Sequence, residues 1–195
     1  MNFEVINGLP IYDLYTEFNS LLESGAIRWI QWKGESIKDQ ICINSVKGQE
    51  DNYLLGRGSL VKDWDKTWGK TTNKEGNLTV PDKPKTLQES DFTELCTAFK
   101  GTLFEEVYNT LTSRYSVGRV RIMNLRPKTG LTWHQDDTYR IHYPMKTQEG
   151  CLMIIEDEVK HLTEKTWWKT NTVLKHTAFN GSTAERLHLV ATILD

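Results

Sequence analysis

The sequence predicts a mainly β protein, a sandwich or barrel with flanking helices, and three observations carry that expectation. After Gly118 the apolar residues pass from a helical spacing to a period of two. Six short β-prone runs then follow in fewer than eighty residues, at 118–126, 131–135, 139–145, 151–157, 170–179 and 186–194. Turn formers separate them: Pro127 with Gly130, Glu149-Gly150, and Asn180-Gly181.

Upstream, the spacing predicts a helix over 10–24 and β-prone runs at 26–32 and 40–46 that would extend the sheets. Residues 47–87, rich in Gly, Asn, Lys and Asp and ending near Pro81 and Pro84, read as long loops, which inside a compact protein are more often functional than idle. A helix is expected over 91–99. A second should start after Gly101, where Thr102 and Glu105 fit a capping box and Phe104, Val107, Tyr108, Leu111 and Tyr115 make one apolar stripe. These helices would cover one outer face of the sheets. The expected organisation is one domain over 1–195, with N-terminal helices, edge strands and loops in 1–117 and the β core in 118–195.

The chain carries 24 basic and 26 acidic residues, a net charge of -2, and so lacks the basic stripe that nucleic-acid binding needs. No run approaches a membrane span, and the first residues lack the charged and apolar regions of a signal peptide, so a soluble cytoplasmic protein is expected. Cys42, Cys96 and Cys151 are odd in number and far apart, which fits reduced, structural thiols. All five histidines, at 134, 142, 161, 176 and 188, lie in the C-terminal third, where chemistry is therefore expected.

The stretch Leu131 to His142 reads LTWHQDDTYRIH. In a strand, residues i and i+2 share a face, so His134 and Asp136 can converge on one ion while Asp137 points away, to cap the following turn or touch substrate. His176 ends a β-prone run beside a turn and is the candidate third ligand. Two imidazoles and a carboxylate leave adjacent positions open on a metal, the arrangement of non-haem Fe(II) oxygenases; zinc is the competitor, although there is no HExxH. Ten residues after His176 stands Arg186, whose planar fork of donors matches a carboxylate as lysine cannot.

Together, the HxD, the distal His and the following Arg resemble the Fe(II)- and 2-oxoglutarate-dependent oxygenases, and most nearly the aspartyl/asparaginyl β-hydroxylase group. There a strand like "RVRIMNLRPKTGLTWHQD" leads into the HxD, and an R-x-H and an "H-x-x-x-N-G" follow. The similarity covers about 118–195 and extends to small oxygenases carried by bacteriophages. It implies a double-stranded β-helix (jelly-roll, cupin-like) core, with Fe(II) held by His134, Asp136 and His176, and 2-oxoglutarate held by Arg186 and contacted by His142. It also implies O2 as co-substrate, release of succinate and CO2, and hydroxylation of a small molecule or a protein side chain of Asp, Asn or Pro type. If the protein is phage-encoded, it would act in the host cytoplasm. One departure stands out: the animal aspartyl β-hydroxylases have Gly where this chain has Asp136.

Arg140 is a candidate for a substrate carboxylate, and His188 would line the pocket if its strand is regular. His161, amid charges, reads as exposed, and Trp64 and Trp68 as either a loop anchor or an aromatic wall over the site. For His176 and Arg186 to share a face, Asn180-Gly181 cannot form a two-residue hairpin, so a longer irregular turn is expected. The rival reading is a non-oxygenase cupin-like metal-binding or isomerase domain. Base-repair oxygenases are a second rival, but their later arginine is replaced here by Thr192.

Overall fold

A computed structural model describes residues 1–60 and 87–195, together with the backbone of two short strands between them. In chain order the strands are β1 (Phe3–Val5), β2 (Ile30–Trp32), β3 (Glu35–Ile37), β4 (Gln40–Cys42), β5 (Asn44–Ser45), β6 (Thr71–Thr72), β7 (Leu78–Thr79) and β8 (Glu94–Leu95). Then come β9 (Val117–Leu125), β10 (Thr129–Gly130), β11 (Arg140–Lys146), β12 (Cys151–Ile155), β13 (Glu158–Lys160), β14 (Trp168–Thr170), β15 (His176–Asn180) and β16 (Arg186–Ile193). The helices are α1 (Leu14–Glu23) and α2 (Leu103–Thr112).

A six-stranded antiparallel sheet has the order β1-β14-β11-β16-β9-β4, and a four-stranded one the order β10-β15-β12-β13. The two line a common cavity, and the helices pack on the other face of the larger sheet. This is a mainly β core of jelly-roll type with flanking helices, as expected. No helix among the described residues is long and apolar enough to cross a membrane.

The larger sheet sorts its residues by period two, and both its faces are covered. On β16, Leu187, Leu189, Ala191 and Ile193 join a core with Leu14, Phe18, Phe104, Val107 and Leu111 of the helices. Ile122 of β9 and Ile141 and Tyr143 of β11 face the same core. The alternate residues, Arg119, Arg121 and Met123 on β9, Arg140 and His142 on β11, and Arg186 and Val190 on β16, line the cavity. A smaller apolar cluster of Phe3, Leu125, Met153, Ile155, Leu162, Trp168 and Ala178 joins the two sheets. The β11–β16 register shifts between Pro144 and Lys146, at a residue with no N–H to give the ladder.

Helix α2 starts where its capping residues put it, with the Thr102 hydroxyl accepting from the Phe104 N–H at 3.1 Å. The Glu105 carboxylate accepts from Gly101 rather than from Thr102, at 2.6 Å. The helix expected over 91–99 does not form. Two 3₁₀ turns, Glu89–Asp91 and Thr97–Phe99, flank β8 instead. Phe92, Cys96 and Phe99 are buried at helical spacing, but Cys96 N–H goes to Ile43 C=O at 2.9 Å, so pairing with the β5 region overrides local periodicity.

The expected strand 131–135 reduces to a single bridge between His134 and His176. The expected strand 170–179 is interrupted, because β14 belongs to the large sheet and β15 to the small one. The Asn180-Gly181 turn is irregular, as anticipated, and carries the chain from one sheet to the other. The Asn180 side chain holds it, donating to Leu125 and Ala184 carbonyls at 2.9 and 2.7 Å and accepting from Ser182 N–H at 3.0 Å.

Tyr143, fully buried, ties the large sheet to the segment before α1. Its hydroxyl donates to Tyr12 C=O at 2.7 Å and accepts from Tyr12 N–H at 2.9 Å. Tyr143→Phe should strand both backbone groups and cost about 1–3 kcal/mol in urea unfolding, with the native circular dichroism spectrum retained.

Candidate active site

His134 and His176 are brought together by the backbone. His134 N–H donates to His176 C=O at 3.0 Å, and His176 N–H to His134 C=O at 2.8 Å. Each imidazole is then fixed by its own chain: Nδ1 of His134 bonds Thr132 C=O at 2.7 Å, and Nδ1 of His176 bonds Leu174 C=O at 2.9 Å. A proton on Nδ1 leaves both Nε2 atoms as lone-pair donors, the tautomer a metal requires. Burial draws the His176 imidazole below its usual value against the pull of the Leu174 bond, and the neighbouring His134 adds to the lowering, which favours the neutral ligand form.

Asp136 is positioned by its N–H on Thr172 C=O at 2.9 Å, and its Oδ2 lies 3.8 Å from His176 Nε2. One ligand atom from each of His134, Asp136 and His176 lies within 4.8 Å of the others, and among the described residues this is the group with such geometry. Two neutral imidazoles and a carboxylate fit a divalent iron with positions left for further ligands. Asp137 is exposed at the cavity rim, outside the triad.

The triad opens on a cavity of about 560 Å3, a size typical of small-molecule sites. Arg186 and His142 line it. Arg186 is 6% exposed, and among the described residues no carboxylate lies within ion-pair distance of it. Burial pushes its guanidinium down to about 10, so it remains charged at neutral pH. Its Nη2 donates to His188 Nδ1 at 3.0 Å, and His188 Nδ1 lies 3.5 Å from His142 Nδ1. Burial first, and the Arg186 charge second, push both imidazoles well below the usual range and keep them neutral. His188 is thus packed against Arg186 and His142 and is not among the cavity-lining residues.

Arg140 lines the cavity, but its donors are engaged. Nε lies 3.3 Å from Asp136 Oδ2, Nη2 3.7 Å from Glu89 Oε1, and Nη1 bonds Thr138. Glu89 is the hub of this cluster, taking Arg119 Nη2 at 2.8 Å, Arg119 Nε at 3.2 Å and the Thr192 hydroxyl at 3.0 Å. Glu89, Arg119 and Arg121 were not singled out from the sequence. The available signal was Arg119 and Arg121 two apart in a strand with Val120 and Ile122 between and beside them, a pattern that more often marks a solvated face. Glu89, beyond the loop-rich segment, gave no signal. His161 is half-buried, with Nδ1 on Cys151 C=O at 2.9 Å, rather than exposed. Trp64 and Trp68 lie outside the described residues.

Burial alone would raise the Glu89 carboxyl, but the Arg119 charge and hydrogen bond, with Arg121 and Arg140, hold it below its usual 4.5. The folded protein therefore holds this proton more weakly than the unfolded chain. Glu89 contributes its full stability above the ordinary glutamate range, and that contribution is lost as pH falls through the lower folded value. Acid titration of the thermal midpoint should fall less steeply below about pH 4.5 in Glu89→Gln than in the unsubstituted protein.

The model of the family described as aspartyl/asparaginyl β-hydroxylase matches residues 59–195 of this chain. No curated protein matches it. Among solved structures, AviO1 from Streptomyces viridochromogenes overlaps all of this chain and 90% of its own length, at 10% identity and a TM-score of 0.49. An oxidoreductase of the 2OG-Fe(II) oxygenase family from Burkholderia pseudomallei overlaps 40% of this chain and 44% of its own, at 15% identity and a TM-score of 0.37. A cupin domain from Bordetella pertussis Tohama I overlaps 40% of this chain and 81% of its own, at 20% identity and a TM-score of 0.35. The family match contains every residue of the triad and the whole cavity wall from Leu87 onward, and the chain belongs to the aspartyl/asparaginyl β-hydroxylase family of enzymes.

Proposed function

We propose that residues 1–195 form one oxygenase domain, an Fe(II)- and 2-oxoglutarate-dependent dioxygenase that hydroxylates an amino acid or a protein side chain, of Asp, Asn or Pro type. The observation that carries this reading is the convergence of His134, Asp136 and His176 on a cavity that also holds a buried Arg186, which no carboxylate among the described residues meets. Iron, when bound, would supply the oxidising chemistry, coupling decarboxylation of 2-oxoglutarate to succinate and CO2 with transfer of one atom of O2 into a substrate C–H bond.

The chain's own share is binding and orientation. His134, Asp136 and His176 would hold the ion. The Thr132 and Leu174 carbonyls fix the imidazole tautomers, and Arg140 steadies the Asp136 carboxylate from the side. Arg186 would take the distal carboxylate of 2-oxoglutarate, its fork aligned by His188, with neutral His142 beside it. Neutral histidines matter here: protonated, they would compete with Arg186 as cations and lose the acceptor that holds it. The buried, unpaired Cys42, Cys96 and Cys151 support a reducing compartment such as the cytoplasm, that of the host if the gene is carried by a phage.

Succinate formation from 2-oxoglutarate should require added Fe(II). His176→Ala and Asp136→Ala should each reduce it to background, whereas Asp137→Ala should leave it within a few-fold of the unsubstituted protein. Turnover unaffected by His176→Ala would sink the reading. Mn(II) should raise the thermal midpoint of chelator-treated protein, by about 2.7 kcal/mol of stability at a hundredfold excess over Kd, and it should fail to do so in His176→Ala. A well-folded protein that binds Mn(II) but turns over no 2-oxoglutarate would favour the cupin-like alternative.

A further inference from the structure

The cavity wall carries more positive charge than the proposed chemistry uses. Among the described residues Arg119, Arg121, Arg140 and Arg186 line it, against Glu89, Asp136 and the exposed Asp137. A divalent metal and a dianionic co-substrate cancel one another, so loading the site leaves the excess in place. Arg119 is fully engaged by both Glu89 oxygens and by the Gly56 and Gly58 carbonyls. Arg140 is engaged by Asp136, Glu89 and Thr138, and Arg186 is the proposed co-substrate anchor.

Arg121 is different. It is 8% exposed, and its Nη1 donates to Gln40 Oε1 at 2.9 Å and to Gly58 C=O at 3.3 Å. Both acceptors are neutral. Among the described residues its buried Nε has no partner, Nη2 makes no hydrogen bond, and no carboxylate lies within ion-pair distance of it. Nε is closed off from the cavity, so Nη2, on a guanidinium that lines it, is the charged donor left for a carboxylate. A cation buried in this way destabilises the folded protein until an anion meets it.

The sheet register separates this donor from the co-substrate anchor. Arg121 is the Cα partner of Val190, and Arg186 that of Leu125, four residues further along β9, which places the two backbones about 13 Å apart along the strands. They share no hydrogen-bond partner. On the other side of Val190 stands His142, so Arg121 and His142 flank one strip of the large sheet.

We infer that Arg121 anchors a carboxylate of the prime substrate, which makes the substrate an acidic molecule rather than a neutral one. This rests on the oxygenase reading of the same cavity. Gln40 aligns the guanidinium from β4, and Arg119, held by Glu89, stands two positions along the same strand face. Burial brings the Arg121 guanidinium down to about 9, which leaves it charged at neutral pH.

The test uses the full chain loaded with Mn(II) and 2-oxoglutarate, titrated calorimetrically with free amino acids, dicarboxylates and short peptides. Each probe is paired with the analogue in which one carboxylate is a carboxamide. At least one acid should bind roughly tenfold or more tightly than its amide, as expected for hydrogen bonds to a charged group. Arg121→Gln should abolish that preference, Arg121→Lys should keep part of it, and both should bind 2-oxoglutarate as the unsubstituted protein does. Thermal midpoints no lower than that of the unsubstituted protein in both variants exclude misfolding as the cause.

If acids and amides bind alike, if no acid binds, or if Arg121→Gln keeps the preference, the inference fails while the oxygenase reading stands. If Arg121→Gln instead weakens 2-oxoglutarate binding, the guanidinium serves the co-substrate and the inference also fails. Absence of 2-oxoglutarate binding and of Fe(II)-dependent succinate formation in the unsubstituted protein overturns the oxygenase reading itself.

Discussion

Strand β16 lies inside the six-stranded sheet with every residue buried, and the strict alternation of its side chains between two covered faces constrains the rest of the molecule. Leu187, Leu189, Ala191 and Ile193 need the apolar layer of α1 and α2. Arg186, His188 and Thr192, which share the other face with Val190, need a polar interior. A slip of one residue against β9 or β11 would drive a guanidinium and an imidazole among Phe18, Phe104 and Leu111 and put leucines on the cavity wall. Register is therefore specified twice over, once by each face. The same alternation in β9 and β11 lets a small protein keep one face of a sheet as core and the other as a site.

The cavity face is costly to build. Four guanidiniums and two neutral histidines stand on or against it, and only part of their hydrogen-bonding capacity is met by the protein. Such a surface lowers stability unless a ligand completes it, and among the described residues the positions left open include Arg186, which no carboxylate meets, Nη2 of Arg121 and the Nε2 lone pairs of His134 and His176. Several other polar positions are completed within the protein. Arg119 and Arg140 have Glu89, and Asn44, deep in the sheet edge, bonds Phe92, Gly118 and Val120.

How much of this was legible in the sequence depended on whether the signal was local. His134 and Asp136 two apart, His176 beside a turn and Arg186 ten residues on could be picked out as candidates, because each is marked by its near neighbours in sequence. The period-two runs of β9, β11, β12 and β16 were legible for the same reason. The expected helix over 91–99 failed because Phe92, Cys96 and Phe99 are buried by pairing with residues fifty positions earlier, which no local spacing records. β1 was missed because three residues carry too little pattern. Glu89, Arg119 and Arg121 carry no local mark, since a strand with arginine on alternate positions is ordinary when that face meets water. Only the second sheet makes the face an interior.

His134 and Asp136 converge with His176 by a geometry other than the one expected. They were placed on one strand face, yet 131–139 is irregular apart from the bridge to His176. What replaces the strand is a row of tethers to one neighbour: Leu131 N–H to Ala178, His134 to His176, Asp136 N–H to Thr172, and the Thr172 and Thr177 hydroxyls to Thr138 and Leu131 carbonyls. All end within 172–178. Ligands from two distant segments are thus carried by the small-sheet side, whereas Arg121, His142 and Arg186 belong to the large sheet. Asp136 joins the two halves, through Arg140 to Glu89 and from there to Arg119 and Thr192. Of the triad, Asp136 is the group that an ion pair ties to the large sheet, while both imidazoles are oriented by carbonyls on the small-sheet side.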